Sequence, residues 1–218
     1  MTYEEIKNNE AINTYIRHAD ASLSALGYTE HSFAHVTTVA ETAGYILETL
    51  GYSQHDVELA KIAGYMHDLG NLVNRVEHSQ SGAVMAFRIL DKLNMPPDDI
   101  ATIVTAIGNH DEGTGVAVNA VSAALILADK SDVRRSRVRN AEDAKTDIHD
   151  RVNYSVIKSK LKINEEKTLI KLKLSVDTRM GSVMDYFEIF LGRMMMCRSA
   201  ADVLGAKFKL RANGVKIL

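Results

Sequence analysis

The side chains with the clearest chemical use are His35, the doublet His67-Asp68, His78, His110 and Asp129. Imidazole nitrogens and carboxylate oxygens are ordinary ligands of divalent transition metals. Asp68 has two oxygens and is suited to bridging two cations, whereas each imidazole offers one nitrogen to one metal. Asp129 follows the apolar run Val121 to Ala128, where an ionised carboxylate is costly unless a cation or donor lies beside it. A cation held by four or five of these groups meets that demand, brings a bound water toward a neutral pKa and leaves room for a phosphate oxygen. Attack of a metal-activated hydroxide on phosphorus is the chemistry this set favours.

Helices must bring these residues together. From Tyr3 to about Arg151 the chain follows a 3.6-residue period, broken at Gly27-Tyr28-Thr29, Gly51-Tyr52-Ser53, Met95-Pro96-Pro97 and Gly113-Thr114-Gly115. The pattern predicts helices over residues 3–26, 31–50, 53–67, 79–93, 97–109 and 116–137, with Ser53 and Asp98 as polar starts. His31 and His35 would then share one face of one helix, and His67-Asp68 would end the next.

After Tyr154 the period changes to two. Ile157, Ser159, Leu161 and Ile163 alternate with Lys158, Lys160 and Lys162, and Ile170, Leu172, Leu174 and Val176 with Lys171, Lys173 and Ser175. The polar link Asn164-Glu165-Glu166-Lys167 suits a hairpin. A helix over residues 181–204 covers the apolar face, and a strand with Phe208 and Leu210 follows. The expected fold is mainly α: a helical domain over residues 1–150 and a small α+β (ββαβ) satellite over 151–218.

With 46% hydrophobic residues, 25% charged and two prolines in 218 positions, the chain is composed for an ordered core rather than disorder. A net charge of −2 argues against wholesale nucleic-acid or membrane-surface binding. Cys197 is the single cysteine and cannot form an internal disulfide, which suits a reducing compartment. The first residues carry acids where a signal peptide needs bases, and no run approaches the roughly 20 apolar residues of a membrane span. A cytoplasmic location is expected.

The ordered set His35, His67-Asp68 and Asp129, with Tyr65-Met66-His67-Asp68-Leu69-Gly70 and Ala128-Asp129-Lys130 around it, resembles the HD-domain metal-dependent phosphohydrolase superfamily over roughly residues 20–140. By this resemblance His35, His67, Asp68 and Asp129 hold a first metal, and Asp68 also reaches a second. His78 and His110 resemble the second-metal ligands of the dinuclear branch, which implies two divalent ions, iron or manganese, with magnesium, nickel, cobalt or zinc as alternatives. Ser79-Gln80-Ser81-Gly82 departs from the Gly-Tyr-Pro subgroup of phosphodiesterases, and Asp111 stands where that subgroup has a second histidine. Asp111 is then a second-metal ligand, a general acid, a substrate contact or a helix-end carboxylate. The segment from Ala128 to Arg139 with a strand-rich tail resembles uncharacterised prokaryotic HD phosphatases and phosphodiesterases.

Substrate contacts are sought near Asp129. Arg134 and Arg135 carry guanidinium forks that match phosphate oxygens, the alternative being ion pairs with Glu142, Asp143 or Asp147. Lys130 is a candidate for neutralising charge at the phosphate, and His31 for acid catalysis. The lysines of the satellite lack interleaved aromatics, so a solvated face or a homodimer contact is expected of them rather than nucleic acid. The implied activity is a dinuclear phosphodiesterase on a nucleotide-like substrate; a mononuclear nucleotide monophosphatase and a nucleotide- or metal-sensing protein are the alternatives.

Overall fold

Most helices begin where a short polar side chain accepts from first-turn amides, in a computed structural model that describes residues 1–139, 148–180 and 183–217. Thr2 and Glu5 form a reciprocal capping box for α1 (Tyr3–Lys7), and Asn9 caps α2 (Glu10–Ala25) by accepting from Ala11 and Ile12. The one helix expected over residues 3–26 is therefore two. Ser32 caps α3 (Phe33–Leu50) and Ser53 caps α4 (Gln54–Met66). A 3₁₀ turn, Leu69–Leu72, leads to α5 (His78–Lys92). Pro97 opens α6 (Pro97–Gly108), which moves the expected start at Asp98 into the first turn. Asn119 and Ser122 cap α7 (Ala120–Ser131) reciprocally, at 2.8 and 3.0 Å. This helix, expected to reach residue 137, stops at Ser131, and Arg135–Arg137 form a separate 3₁₀ turn.

Two compact units result, Met1–Asp129 and Lys130–Leu218. In the first, α4 packs along α3 and α5 along α6. Two close approaches depend on the absence of a side chain. A Cβ on Gly64 would lie 2.7 Å from the Ala40 Cα, so α4 approaches α3 backbone to backbone. A Cβ on Gly70 would lie 1.9 Å from the His78 carbonyl and 2.5 Å from the Gly82 nitrogen, so the 3₁₀ turn sits directly on the start of α5. These contacts join the segments carrying His35, His67-Asp68 and His78.

The second unit contains α8 (Ile148–Ser155), β1 (Val156–Ile163), β2 (Leu169–Val176), α9 (Val183–Val203), β3 (Lys207–Ala212) and the two-residue β4 (Val215–Lys216). The sheet order is β1-β2-β3-β4. β1 and β2 form the expected antiparallel hairpin, and β3 runs parallel to β2 after the α9 crossover. β4 extends the expected ββαβ pattern with a short antiparallel edge. Ile170, Leu172, Leu174, Phe208 and Leu210 are buried, as are Phe190, Met194 and Cys197 of α9, which packs on β3. The change from helix to strand occurs at Ser155/Val156, within this unit.

Gly70→Ala is expected to cost about 3 kcal/mol or more, because its methyl meets backbone that cannot yield, and to lower the melting temperature by roughly 6–12 °C for a chain of this size. Gly192→Ala in α9, where a Cβ meets nothing within 4 Å, should be neutral or stabilising by up to about 1 kcal/mol. Thermal melts of the two variants check this; equal melting temperatures would remove the role given to Gly70.

Candidate metal centre

Five imidazoles form a continuous edge-to-face row, His31, His35, His67, His110 and His78, with neighbouring ring centroids 5.0–5.5 Å apart. His35 comes from the first turn of α3, His67 from the C-terminal end of α4, His78 from the start of α5 and His110 from just beyond α6. Asp129 projects from the last turn of α7. His31 is not on α3 as expected. It lies one residue before the Ser32 cap, and its backbone N–H donates to Asp20 at 2.9 Å.

Local backbone contacts aim the rings. Nδ1 of His67 lies 2.8 Å from the Gly64 carbonyl, that of His110 2.6 Å from the Ile107 carbonyl, and that of His78 3.1 Å from the Arg75 carbonyl. A carbonyl only accepts, so each Nδ1 carries the proton and each Nε2 of the neutral ring is a lone pair facing the cluster. His78 Nε2 and His110 Nε2 are 3.2 Å apart. Two lone pairs at that distance require a proton or a cation between them or beside them.

Asp68 faces both halves of the row. Its Oδ2 is 3.2 Å from His67 Nε2 and 3.5 Å from His35 Nε2, while its Oδ1 is 3.6 Å from His78 Nε2. Asn71 holds the carboxylate by donating from Nδ2 to Oδ1 at 2.8 Å and to the Asp68 carbonyl at 3.0 Å. Asp129 Oδ1 lies 3.4 Å from His35 Nε2 and 3.8 Å from His67 Nε2. Asp111 stands farther out, 4.0 Å from His78 Nε2. His67 Nε2 and Asp68 Oδ2 are buried with no well-formed hydrogen bond among the described residues. Among the described residues two sets have ligand atoms mutually close enough to hold a metal: His35, His67 and Asp129, and His67, Asp68 and His110. Buried nitrogen and oxygen donors of this kind fit a divalent transition metal.

The electrostatics point the same way. Burial opposes charge on His67, but Asp68 and Asp129 overcome it and raise its pKa. Burial likewise opposes charge on Asp68, and the imidazoles of His67, His31 and His35 hold its pKa well below the usual carboxylate range. His78 is lowered, by burial first, against the pull of Asp68 and with the help of the Arg75 guanidinium.

Arg75 is the site residue that the sequence did not single out. Its Nη1 lies 3.3 Å from both His78 Nε2 and Asn71 Oδ1, and its guanidinium stacks 5.9 Å from the centre of the Tyr28 ring. The only signal in the chain is a basic residue between His67-Asp68 and His78. Within the second unit, Arg134 donates to Asp132 at 2.9 Å and Ser136 at 2.6 Å, and Arg135 to the Tyr154 carbonyl at 2.6 Å and Asp177 at 3.3 Å. Arg137 donates to the Asp132 carbonyl. Lys130 is buried in the last turn of α7. Glu142, Asp143 and Asp147 lie outside the described residues.

Residues 32–153 match the model of the HD domain family. The chain belongs to that family, and the resemblance to the HD-domain superfamily is borne out. Among curated proteins the chain is similar to an uncharacterised protein of Methanocaldococcus jannaschii, MJ1020, with 25% identity over 78% of this chain and 74% of that one. It is also similar to Ribonuclease Y 1 of Pediococcus pentosaceus, with 30% identity over 53% of this chain but 22% of that protein's length. A crystal structure of a predicted HD superfamily hydrolase from an uncultured Thermotogales bacterium shares 22% identity over 60% of this chain and 73% of that chain, with a TM-score of 0.46.

Mn(II) at about 100 times its Kd is expected to stabilise the metal-free chain by about 2.7 kcal/mol, roughly 5–11 °C in melting temperature. Asp68→Asn should abolish that gain, and a full gain in the variant would remove Asp68 from the ligand set. The pH dependence follows from His67, which must be neutral to ligate. Its raised pKa keeps the proton on the ring above the ordinary imidazole range, so metal binding displaces a proton there. Affinity should rise with pH through that titration and weaken by about tenfold per pH unit below it. Calorimetric titrations in two buffers of different ionisation enthalpy count the released proton; none released in that range contradicts the assignment.

Proposed function

We propose that the protein is a metal-dependent phosphohydrolase that cleaves a nucleotide-like phosphodiester with two divalent ions, iron or manganese. The observation that carries this reading is the division of Asp68, whose Oδ2 faces His35 and His67 while Oδ1 faces His78. In this reading His35, His67, Asp68 and Asp129 hold one ion, and Asp68, His78 and His110 the other. Similarity to a protein named as a ribonuclease supports a phosphodiester substrate. When bound, the ions supply a water of lowered pKa and Lewis acidity at a phosphoryl oxygen.

The chain's own residues orient the substrate and move its protons. Arg75, beside His78 and half-buried, presents a planar fork that matches two phosphate oxygens. Asn71 keeps Asp68 in register through its amide. His31 is tied at Nδ1 to the Thr29 carbonyl at 2.7 Å, which leaves Nε2 to carry a proton to the leaving-group oxygen. Asp111 is assigned to the substrate beside His78, and Lys130, next to Asp129 in the chain, to charge neutralisation at the phosphate. A phosphate contact by Arg134 or Arg135 requires either to exchange its present partners, so Arg75 is the better-placed clamp. The buried thiol of Cys197, the single cysteine, suits a reducing cytoplasm, and among the described residues no helix is long and apolar enough to cross a membrane.

Elemental analysis of tag-free protein purified anaerobically should find two iron or manganese ions per chain, with hydrolysis of bis(p-nitrophenyl) phosphate. Asp68→Ala should remove both metal and turnover, and a metal-loaded, fully active Asp68→Ala variant would sink the reading. One ion per chain with preference for a monoester would replace it with monophosphatase chemistry; tight nucleotide binding without turnover would replace it with sensing. Arg75→Ala should lower kcat/KM by roughly 30- to 150-fold, the loss of about 2–3 kcal/mol from a charge-assisted bond, with metal content unchanged.

A further inference from the structure

The exposed face of the second unit's sheet carries rows of cations and no acid on its strands. Lys160 on β1 pairs directly with Lys173 on β2, and Lys173 with Arg211 on β3, which in turn pairs with Lys216 on β4. A second row runs Lys162, Lys171 and Lys209. Neighbouring strands are about 4.8 Å apart and alternate residues along a strand about 6.7 Å apart, so the rows make a lattice of like charges at near-contact spacing. The four strands contain no Asp or Glu. Ion pairs among the described residues of this unit include Arg134–Asp132, Arg137–Asp132, Arg135–Asp177 and Arg179–Asp177, and none of these involves a lysine of the rows. Among the described residues Arg211 donates to the Gly214 carbonyl, at 3.3 Å.

Like charges directly opposite one another weaken a sheet. A solvated face needs no such arrangement, since interspersed Lys and Glu keep an edge soluble without the repulsion. The whole chain has a net charge of −2, so the concentration is local and not a by-product of a basic composition. Alternation places the cations opposite the buried Ile170, Leu172, Phe208 and Leu210, on the side of the sheet away from α9.

We infer that this face binds the phosphodiester backbone of nucleic acid, independently of the metal centre. The register therefore revises the expectation of a merely solvated surface or homodimer contact. No aromatic side chain stands among the cations, so the recognition is of backbone charge and not of base identity. A lipid surface is the poorer match, because its binding adds apolar anchors to the basic residues, and the rows contain none.

Fluorescence anisotropy of the full chain with labelled RNA, single-stranded and duplex, tests this. Binding at low salt is expected for either RNA form. If one strand engages the four-cation row, the slope of log K against log salt should be about −3 for single strands. Lys160→Gln with Lys173→Gln should weaken binding by roughly tenfold and cut the slope by about half. The same variant should melt at an unchanged or higher temperature, since it relieves repulsion, which separates lost binding from lost folding. Absence of RNA binding at low salt, an unchanged affinity and slope in the variant, or binding to phosphatidylserine vesicles but not to RNA would each overturn the inference. None of these readouts depends on metal content or turnover.

Discussion

Backbone touching backbone at Gly64 and Gly70 is the constraint on which the metal centre rests. Both glycines stand where any larger residue would force a helix or turn away from its neighbour. The first draws the C-terminal end of α4 onto α3 and so sets His67 beside His35. The second draws the turn after His67-Asp68 onto the start of α5 and sets Asp68 beside His78. Side-chain packing alone keeps helix axes about 8–10 Å apart; at Gly64 and Gly70 backbone meets backbone directly, which fixes where the ligand side chains leave it.

Burying these groups together has an electrostatic consequence. Buried carboxylates and lone pairs repel one another unless a positive charge lies among them. In the metal-free chain protons serve that purpose, which is why His67 holds its proton more tightly than an ordinary imidazole while Asp68 remains ionised. A divalent ion does the same with higher charge density. The carbonyls of Gly64, Ile107 and Arg75 leave each Nε2 directed inward, so the rings are oriented for either occupant.

The two units use charge in opposite ways. In the first, acids and imidazoles are buried together and compensate one another at short range. In the second, apolar residues are buried between the sheet and α9, and cations are gathered on the open face with no acid on the strands to offset them. Each arrangement stores electrostatic free energy that a ligand of opposite sign releases: a cation in the first unit, a polyanion on the second.

The sequence by itself determined the period of each element, the chemical set His35, His67-Asp68, His78, His110 and Asp129, and the family they mark, because apolar periodicity and ligand identity are local properties of the chain. It also specified the alternation of Lys with apolar residues along each strand. It misjudged the end of α7 and, where a cap decided the boundary over the hydrophobic period, the break at Asn8-Asn9 and the place of His31. Arg75 was not legible, since one arginine in a polar loop differs from others only by what folds against it. Only the tertiary structure decided that Asp68 turns one oxygen to His67 and the other to His78, and that Lys160, Lys173, Arg211 and Lys216 stand abreast. Both are properties of register and close approach, which join residues distant in the chain and leave no local trace in it.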